Sequence, residues 1–222
     1  NPNNRNGVAV HRFRNRAITD TFEPGSTVKP LPVMTALENG TADLKTVIAT
    51  GNGVMMVGGR RVRDTHAYGD QDLAGIIRKS SNIGVTKLAL NMPHEDLLKM
   101  YYGMGLGDET GLGIVGESPG MLRERARWSD HERATLSFGY GLSVTAVQLA
   151  RMYAAIGNGG VVRPLTLIKQ DKAPEGIRIV SEQTADSMVE MLEGVTLKGG
   201  TATKAVVPGY RVGGKTGTAK KA

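Results

Sequence analysis

Ser26 and Lys29, a serine followed at the third position by a lysine, open a pattern that continues with Ser80-Ser81-Asn82 and closes with Lys215-Thr216-Gly217. A serine hydroxyl is a poor nucleophile at neutral pH until a neighbouring base takes its proton. Residues at i and i+3 share a helical face, so a helix beginning near Ser26, after Pro24-Gly25, brings Lys29 within reach of that hydroxyl. The helix start adds exposed N–H groups and a positive dipole end, which favour negative charge developing at Ser26. To act as base Lys29 must be neutral, which calls for burial or a nearby cation. Lys215 is the candidate cation. Alone, Ser26 reads as a helix cap; three motifs in order turn the reading to a nucleophile.

The surrounding pattern supplies elements to hold these groups. A helix over 26–39 is marked by Leu31, Met34 and Leu37 and stopped by Gly40. Pro30 and Pro32 lack N–H groups, so a bend or 3₁₀ turn is expected beside Ser26. Residues 54–57 and 60–63 read as a β-hairpin over Gly58-Gly59. Short helices over 72–79 and 83–91 flank Ser80-Ser81-Asn82, leaving that motif in a turn. Pro93, Glu95 and Asp96 mark another helix start. Thr145 and Gln148 spell a capping box, and Ser181 caps a helix carrying Met188, Leu192 and Val195. Residues 210–218 read as a strand bearing the Lys-Thr-Gly motif.

Composition narrows the classes. The 222 residues are 40% apolar, which suits a globular domain with a sizeable core. The net charge of +7 fits an anionic partner. The basic residues are scattered and not interleaved with aromatics, so nucleic acid is not the expected partner. Without cysteine there is no disulfide, thiol nucleophile or thiolate metal site. His11, His66, His94 and His131 lack metal-motif spacing, and no metal or cofactor is expected. The glycine-rich run 103–116 lacks the lysine-serine/threonine ending of a phosphate loop. The chain starts with Asn1 and holds no run of about 18 apolar residues, which suggests a piece of a longer protein.

The chain resembles the class B penicillin-binding proteins, more closely the septal, cell-division peptidoglycan D,D-transpeptidases of Gram-negative bacteria. The resemblance rests on Arg14-Asn15-Arg16-Ala17, the run from Phe22 to Pro30, Lys79-Ser80-Ser81-Asn82-Ile83-Gly84, Phe138-Gly139-Tyr140-Gly141-Leu142 and Lys215-Thr216-Gly217-Thr218-Ala219. It implies an acyl-enzyme on Ser26, with Lys29 as base, Ser80 relaying a proton, and Asn82 orienting Lys29 and holding an amide of the acyl side chain. It implies that Lys215 and Thr216 bind the carboxylate of the leaving D-alanine or of a β-lactam. Gly217 would leave room for the peptide. Thr218 would offer its N–H, with that of Ser26, as the oxyanion hole, and its hydroxyl to the carboxylate. Tyr140 reads equally as a loop residue or as lining of the cleft.

The implied fold is α+β, the penicillin-binding transpeptidase and serine β-lactamase-like fold, with a helical subdomain and an antiparallel sheet. Residues 1–222 would be one transpeptidase domain piece whose sheet is truncated at both ends, its other strands coming before Asn1 and after Ala222. An isolated strand over 210–220 would expose two unpaired edges, so such a piece would fold poorly or be inactive alone. The implied partners are peptidoglycan stem peptides, β-lactams, and a septal glycosyltransferase with other division proteins. The implied location is the periplasmic face of the inner membrane, reached through an N-terminal helix outside this chain. A class A β-lactamase would need a Glu-x-x-x-Asn segment, which the chain lacks. A penicillin-sensing receptor domain would share the acylation chemistry and differ in flanking segments.

Overall fold

The computed structural model describes residues 6–124 and 127–218; Ala219, which closes the Lys-Thr-Gly run, lies outside them. In chain order the elements are α1 (Arg16–Thr19), β1 (Thr21–Phe22), α2 (Pro30–Glu38), β2 (Val47–Ala49), β3 (Val54–Val57), β4 (Arg60–Arg63) and β5 (Asp70–Asp72). Then come α3 (Leu73–Lys79), α4 (Asn82–Leu90), α5 (His94–Gly103), α6 (Asp130–Ser137), β6 (Val144–Thr145), α7 (Ala146–Gly157), β7 (Val161–Val162), β8 (Ile177–Arg178) and α8 (Glu182–Thr196).

Helix α2 is the axis of the body. Its residues from Pro30 through Ala36 are all buried, the pattern of a helix enclosed on every side, and α4, α5 and α8 pack around it. The expected helix over 26–39 divides in two: Gly25–Val28 winds as a 3₁₀ turn, and α2 begins at Pro30. Proline suits that first position because its missing N–H would have no helical acceptor there. Each neighbouring helix turns its apolar residues inward. On α8 these are Ala185, Met188, Leu192 and Val195, each at most 5% exposed.

Residues 47–72 form two nested antiparallel pairs, β2 with β5 and β3 with β4. The inner hairpin turns through Gly58 and Gly59, at φ +55° and +75°, the left-handed conformation that a two-residue hairpin turn requires. The outer pair runs directly into α3, because Asp72 at the end of β5 accepts the Gly75 N–H at 2.6 Å as its N-cap. A strand excursion thereby fixes the start of the helix that ends at Ser80.

Antiparallel pairing among the described residues is confined to four two-stranded sheets and an isolated Met121–Ser143 bridge. The expected strand over 210–218 is not formed. A strand exists through its ladder, and among the described residues no neighbouring strand takes its backbone groups. The segment lies instead along the end of α8, where Gly214 N–H donates to Leu192 O at 3.1 Å and Thr196 Oγ1 to Val212 O at 2.7 Å. No helix among the described residues is long and apolar enough to cross a membrane.

Candidate active site

Ser26 lies in the 3₁₀ turn of Gly25–Val28, held from three sides. Gly25 N–H donates to Gly139 O at 3.0 Å. Tyr153 donates its hydroxyl to Thr27 O at 2.8 Å, and burial raises the phenol pKa, keeping it a donor. Gly141 N–H donates to Glu23 Oε1 at 3.1 Å just upstream. Gly25 has φ +56°, and a Cβ there would lie 2.7 Å from Thr218 O. The glycine is what lets the closing segment come against the Ser26 turn. Gly217 plays the matching part, since a Cβ on it would meet Thr27 Cγ2 at 2.6 Å. Its bare face therefore turns toward the Ser26 turn.

Ser80 is the C-cap of α3 and, among the described residues, the one non-glycine residue with positive φ, at 60°. A left-handed serine costs about 1–2 kcal/mol, a strain that tends to persist where a side chain must be aimed. Next, Ser81 caps α4, its Oγ accepting Gly84 N–H at 2.9 Å. Asn82 is the first residue of that helix rather than part of the turn.

Lys29, fully buried, reaches this corner from the end of the 3₁₀ turn. Its Nζ lies 2.5 Å from Ser80 O, 2.7 Å from Asn82 Oδ1 and 3.2 Å from Ser80 Oγ. Lys215 enters from the opposite segment and donates to the same Ser80 Oγ at 2.8 Å and to Thr216 O at 3.1 Å. Burial above all, and then the charge of Lys215, hold Lys29 well below the ordinary lysine pKa, while the Asp64 carboxylate opposes them. Burial lowers Lys215 to about 8.

A neutral lysine amine has two hydrogens and one lone pair. With Ser80 O and Asn82 Oδ1 taking the hydrogens, the lone pair is left to accept a hydroxyl proton. The Ser26 hydroxyl makes no hydrogen bond to Lys29 among the described residues; catalytic hydrogen bonds commonly tighten only when substrate is bound.

Ser26, Ser80 and Asn82 open on one cavity of about 290 Å³ whose other side is made by Thr216, Gly217 and Thr218. Tyr140 lines it, and so do Thr65, Lys79 and Thr201. Every site residue expected from the sequence is thus at this corner: Lys29 beneath it, Lys215 bonded to Ser80, and the rest on its wall.

Asp64 escaped the sequence reading. Its carboxylate accepts Ser81 Oγ–H at 2.6 Å, Asn82 N–H at 2.5 Å and Ile83 N–H at 3.0 Å, capping α4 from outside. Asn82 Nδ2 then donates to Arg63 O at 2.7 Å, which fixes the amide so that Oδ1 faces Lys29. No local spacing announces an acceptor that arrives from the end of a hairpin. Thr201 escaped for the same reason, although its Oγ1 is 2.8 Å from Thr216 Oγ1.

A helical body that gathers a serine-lysine turn, a serine-asparagine corner and a Lys-Thr-Gly segment around one cleft defines the active-site-serine, penicillin-recognising class. The family model described as "Penicillin binding protein transpeptidase domain" matches residues 1–222, and the chain belongs to that family. It is 49% identical over 221 residues to peptidoglycan D,D-transpeptidase FtsI of Escherichia coli K12, covering 100% of this chain and 37% of that protein. Probable peptidoglycan D,D-transpeptidase PenA of Neisseria gonorrhoeae is 43% identical over 220 residues, covering 99% of this chain and 38% of its own length. Among solved structures, the apo transpeptidase domain of Burkholderia pseudomallei penicillin-binding protein 3 aligns with a TM-score of 0.91 and 45% identity. That alignment covers 94% of this chain and 64% of the other. The chain spans well under half the length of these curated relatives.

Proposed function

We propose that this chain carries the acyl-transfer site of a peptidoglycan D,D-transpeptidase that cross-links stem peptides during septal wall synthesis. The observation that carries the reading is the meeting of Lys29 and Lys215 on Ser80 Oγ, on the cavity that Ser26 lines. Ser26 Oγ attacks the carbonyl carbon of the penultimate D-alanine as its proton passes to neutral Lys29. The N–H groups of Ser26 and Thr218 face the oxyanion, a contribution commonly worth about 3 kcal/mol per donor. The C–N bond then breaks, and the leaving D-alanine amine takes the proton from Lys29 through Ser80. An amine of a second stem attacks the ester, gives its proton back along the same path and frees Ser26. Lys215, Thr216 and Thr218 hold the terminal carboxylate, and Asn82 keeps Lys29 oriented. A β-lactam acylates the same serine and stays.

The 49% identity to peptidoglycan D,D-transpeptidase FtsI of E. coli supports extending this to the complete protein. That protein then works at the periplasmic face of the inner membrane, beside a septal glycosyltransferase and other division proteins. The test is a fluorescent penicillin on the complete protein, followed by intact mass and peptide mapping. Covalent label on Ser26, lost in Ser26→Ala, is the expected result. Label retained in full by Ser26→Ala would overturn the assignment.

A further inference from the structure

Thr201 and Thr216 present their hydroxyl oxygens 2.8 Å apart on the wall of the cavity that holds Ser26. One proton lies between the two oxygens, and the other is free to point elsewhere. If Thr216 gives its proton to Thr201, a ligand carboxylate approaching Thr216 meets lone pairs. If Thr201 gives its proton to Thr216, the Thr216 proton is left for the carboxylate. We infer that Thr201 is a positioning residue for carboxylate recognition, donating to Thr216 Oγ1 so that the Thr216 O–H points at the ligand. This inference rests on the transpeptidase reading of the cleft.

The mounting of Thr201 supports such a role. Gly200 N–H donates to Leu197 O and Ala202 N–H to Val195 O, both at 2.9 Å, so the backbone on either side of Thr201 is tied to the end of α8. A Cβ on Gly200 would lie 2.1 Å from Val195 O, so this close turn requires glycine. From the last turn of α3, Arg78 Nη2 donates to Lys198 O at 3.1 Å and Lys79 Nζ to Gly199 O at 2.9 Å. The loop carrying Thr201 is thereby fastened to the helix end that presents Ser80. Lys215, next in sequence to Thr216, is fastened to Ser80 by its ammonium. Thr201 and Lys215 thus orient Thr216 from two sides: Lys215 brings charge, and Thr201 sets the direction of a proton.

The experiment separates binding from chemistry in the complete protein by stopped-flow acylation with benzylpenicillin and with its methyl ester. In Thr201→Val, the pre-acylation dissociation constant for the free acid is expected to rise roughly tenfold, as for loss of one well-aimed hydrogen bond to a charged group. The rate of the covalent step should change less than about twofold, and the ester, with no anionic carboxylate, should bind as in the wild type. Thr201→Ser keeps the hydroxyl and should restore affinity for the acid. The inference is overturned if acid and ester lose affinity equally, if the covalent step falls instead, or if Thr201→Ser does not restore binding. Failure of the wild type to acylate at all would instead overturn the transpeptidase reading, so the two failures are distinguishable.

Discussion

Lys29 and Lys215 converge on one oxygen, their Nζ atoms 3.2 and 2.8 Å from Ser80 Oγ. Burial and the nearby charge of Lys215 both disfavour the charged form of Lys29. In the proposed mechanism Lys29 serves as the base while Lys215 stays a cation. Ser80 can accept from Lys215 while offering its own hydrogen to neutral Lys29, which makes it a proton bridge between them.

The pH dependence of acylation follows from these two groups. In the proposed mechanism neutral Lys29 is the active form, so the rate is expected to rise with pH through a pKa well below the ordinary lysine value. In the same mechanism charged Lys215 holds the carboxylate, so the rate is expected to fall as pH passes about 8. The expected second-order acylation profile is a bell. Lys215→Arg, whose charge does not titrate in this range, should remove the falling limb while keeping the rising one. Lys29→Ala should lose about 10²- to 10⁴-fold in the covalent step, with pre-acylation binding kept, whereas Lys215→Ala should mainly weaken binding. Equal defects of both variants in both quantities would contradict this division.

Asp64 acts on the same corner from behind. Asp64→Asn removes the charge that supports protonation of Lys29 and turns one acceptor of the α4 N-terminus into a donor. Hydrogen bonds to a charged group are worth about 1.5–3 kcal/mol, so denaturant melts should show destabilisation of about 2 kcal/mol. The rising limb of the acylation profile should move to lower pH, because Asp64 raises the Lys29 pKa. A limb that stays in place or moves upward would show that Asp64 serves only as a cap.

Much of this was legible because local rules decide it. The hairpin of β3 and β4 has the bounds that Gly58-Gly59 and the flanking residues imply. The Thr145–Gln148 capping box forms with both of its hydrogen bonds. The meeting of these side chains at one corner was legible because serine, lysine and asparagine in this order have a chemical reason to meet. What was not legible depends on closure between distant segments. The left-handed Ser80 closes α3 as its C-cap, and the two lysines that meet its oxygens, Lys29 and Lys215, both lie far from it in sequence. The segment over 210–218 has the residues of a strand but no ladder, and pairing is something a single segment cannot specify. The approach of Gly217 to Thr27 was likewise not legible, a contact between the closing segment and the 3₁₀ turn that replaces the first turn of the expected helix.

That turn offers a sharp steric test in two glycines of one loop. Gly139 has φ +88°, and a Cβ there would lie 1.9 Å from Gly25 O. The atom it meets is backbone and a Cβ has no rotamer, so nothing relieves the overlap and the Ser26 turn must move. Gly141 has φ +79° but nothing within 4 Å of its Cβ position, so alanine there bears only the left-handed penalty of about 1–2 kcal/mol. Gly139→Ala adds overpacking of about 1–3 kcal/mol to that penalty, for a destabilisation of roughly 3 kcal/mol. Displacing the nucleophile by an ångström should also slow acylation about 10²-fold. Gly141→Ala should melt slightly early and acylate within about threefold of the wild type, since its added methyl meets nothing. Penicillin acylation and denaturant melts of the two variants, side by side, decide it: equal losses would mean that the left-handed backbone, and not the contact with Gly25, is what the loop needs from its glycines.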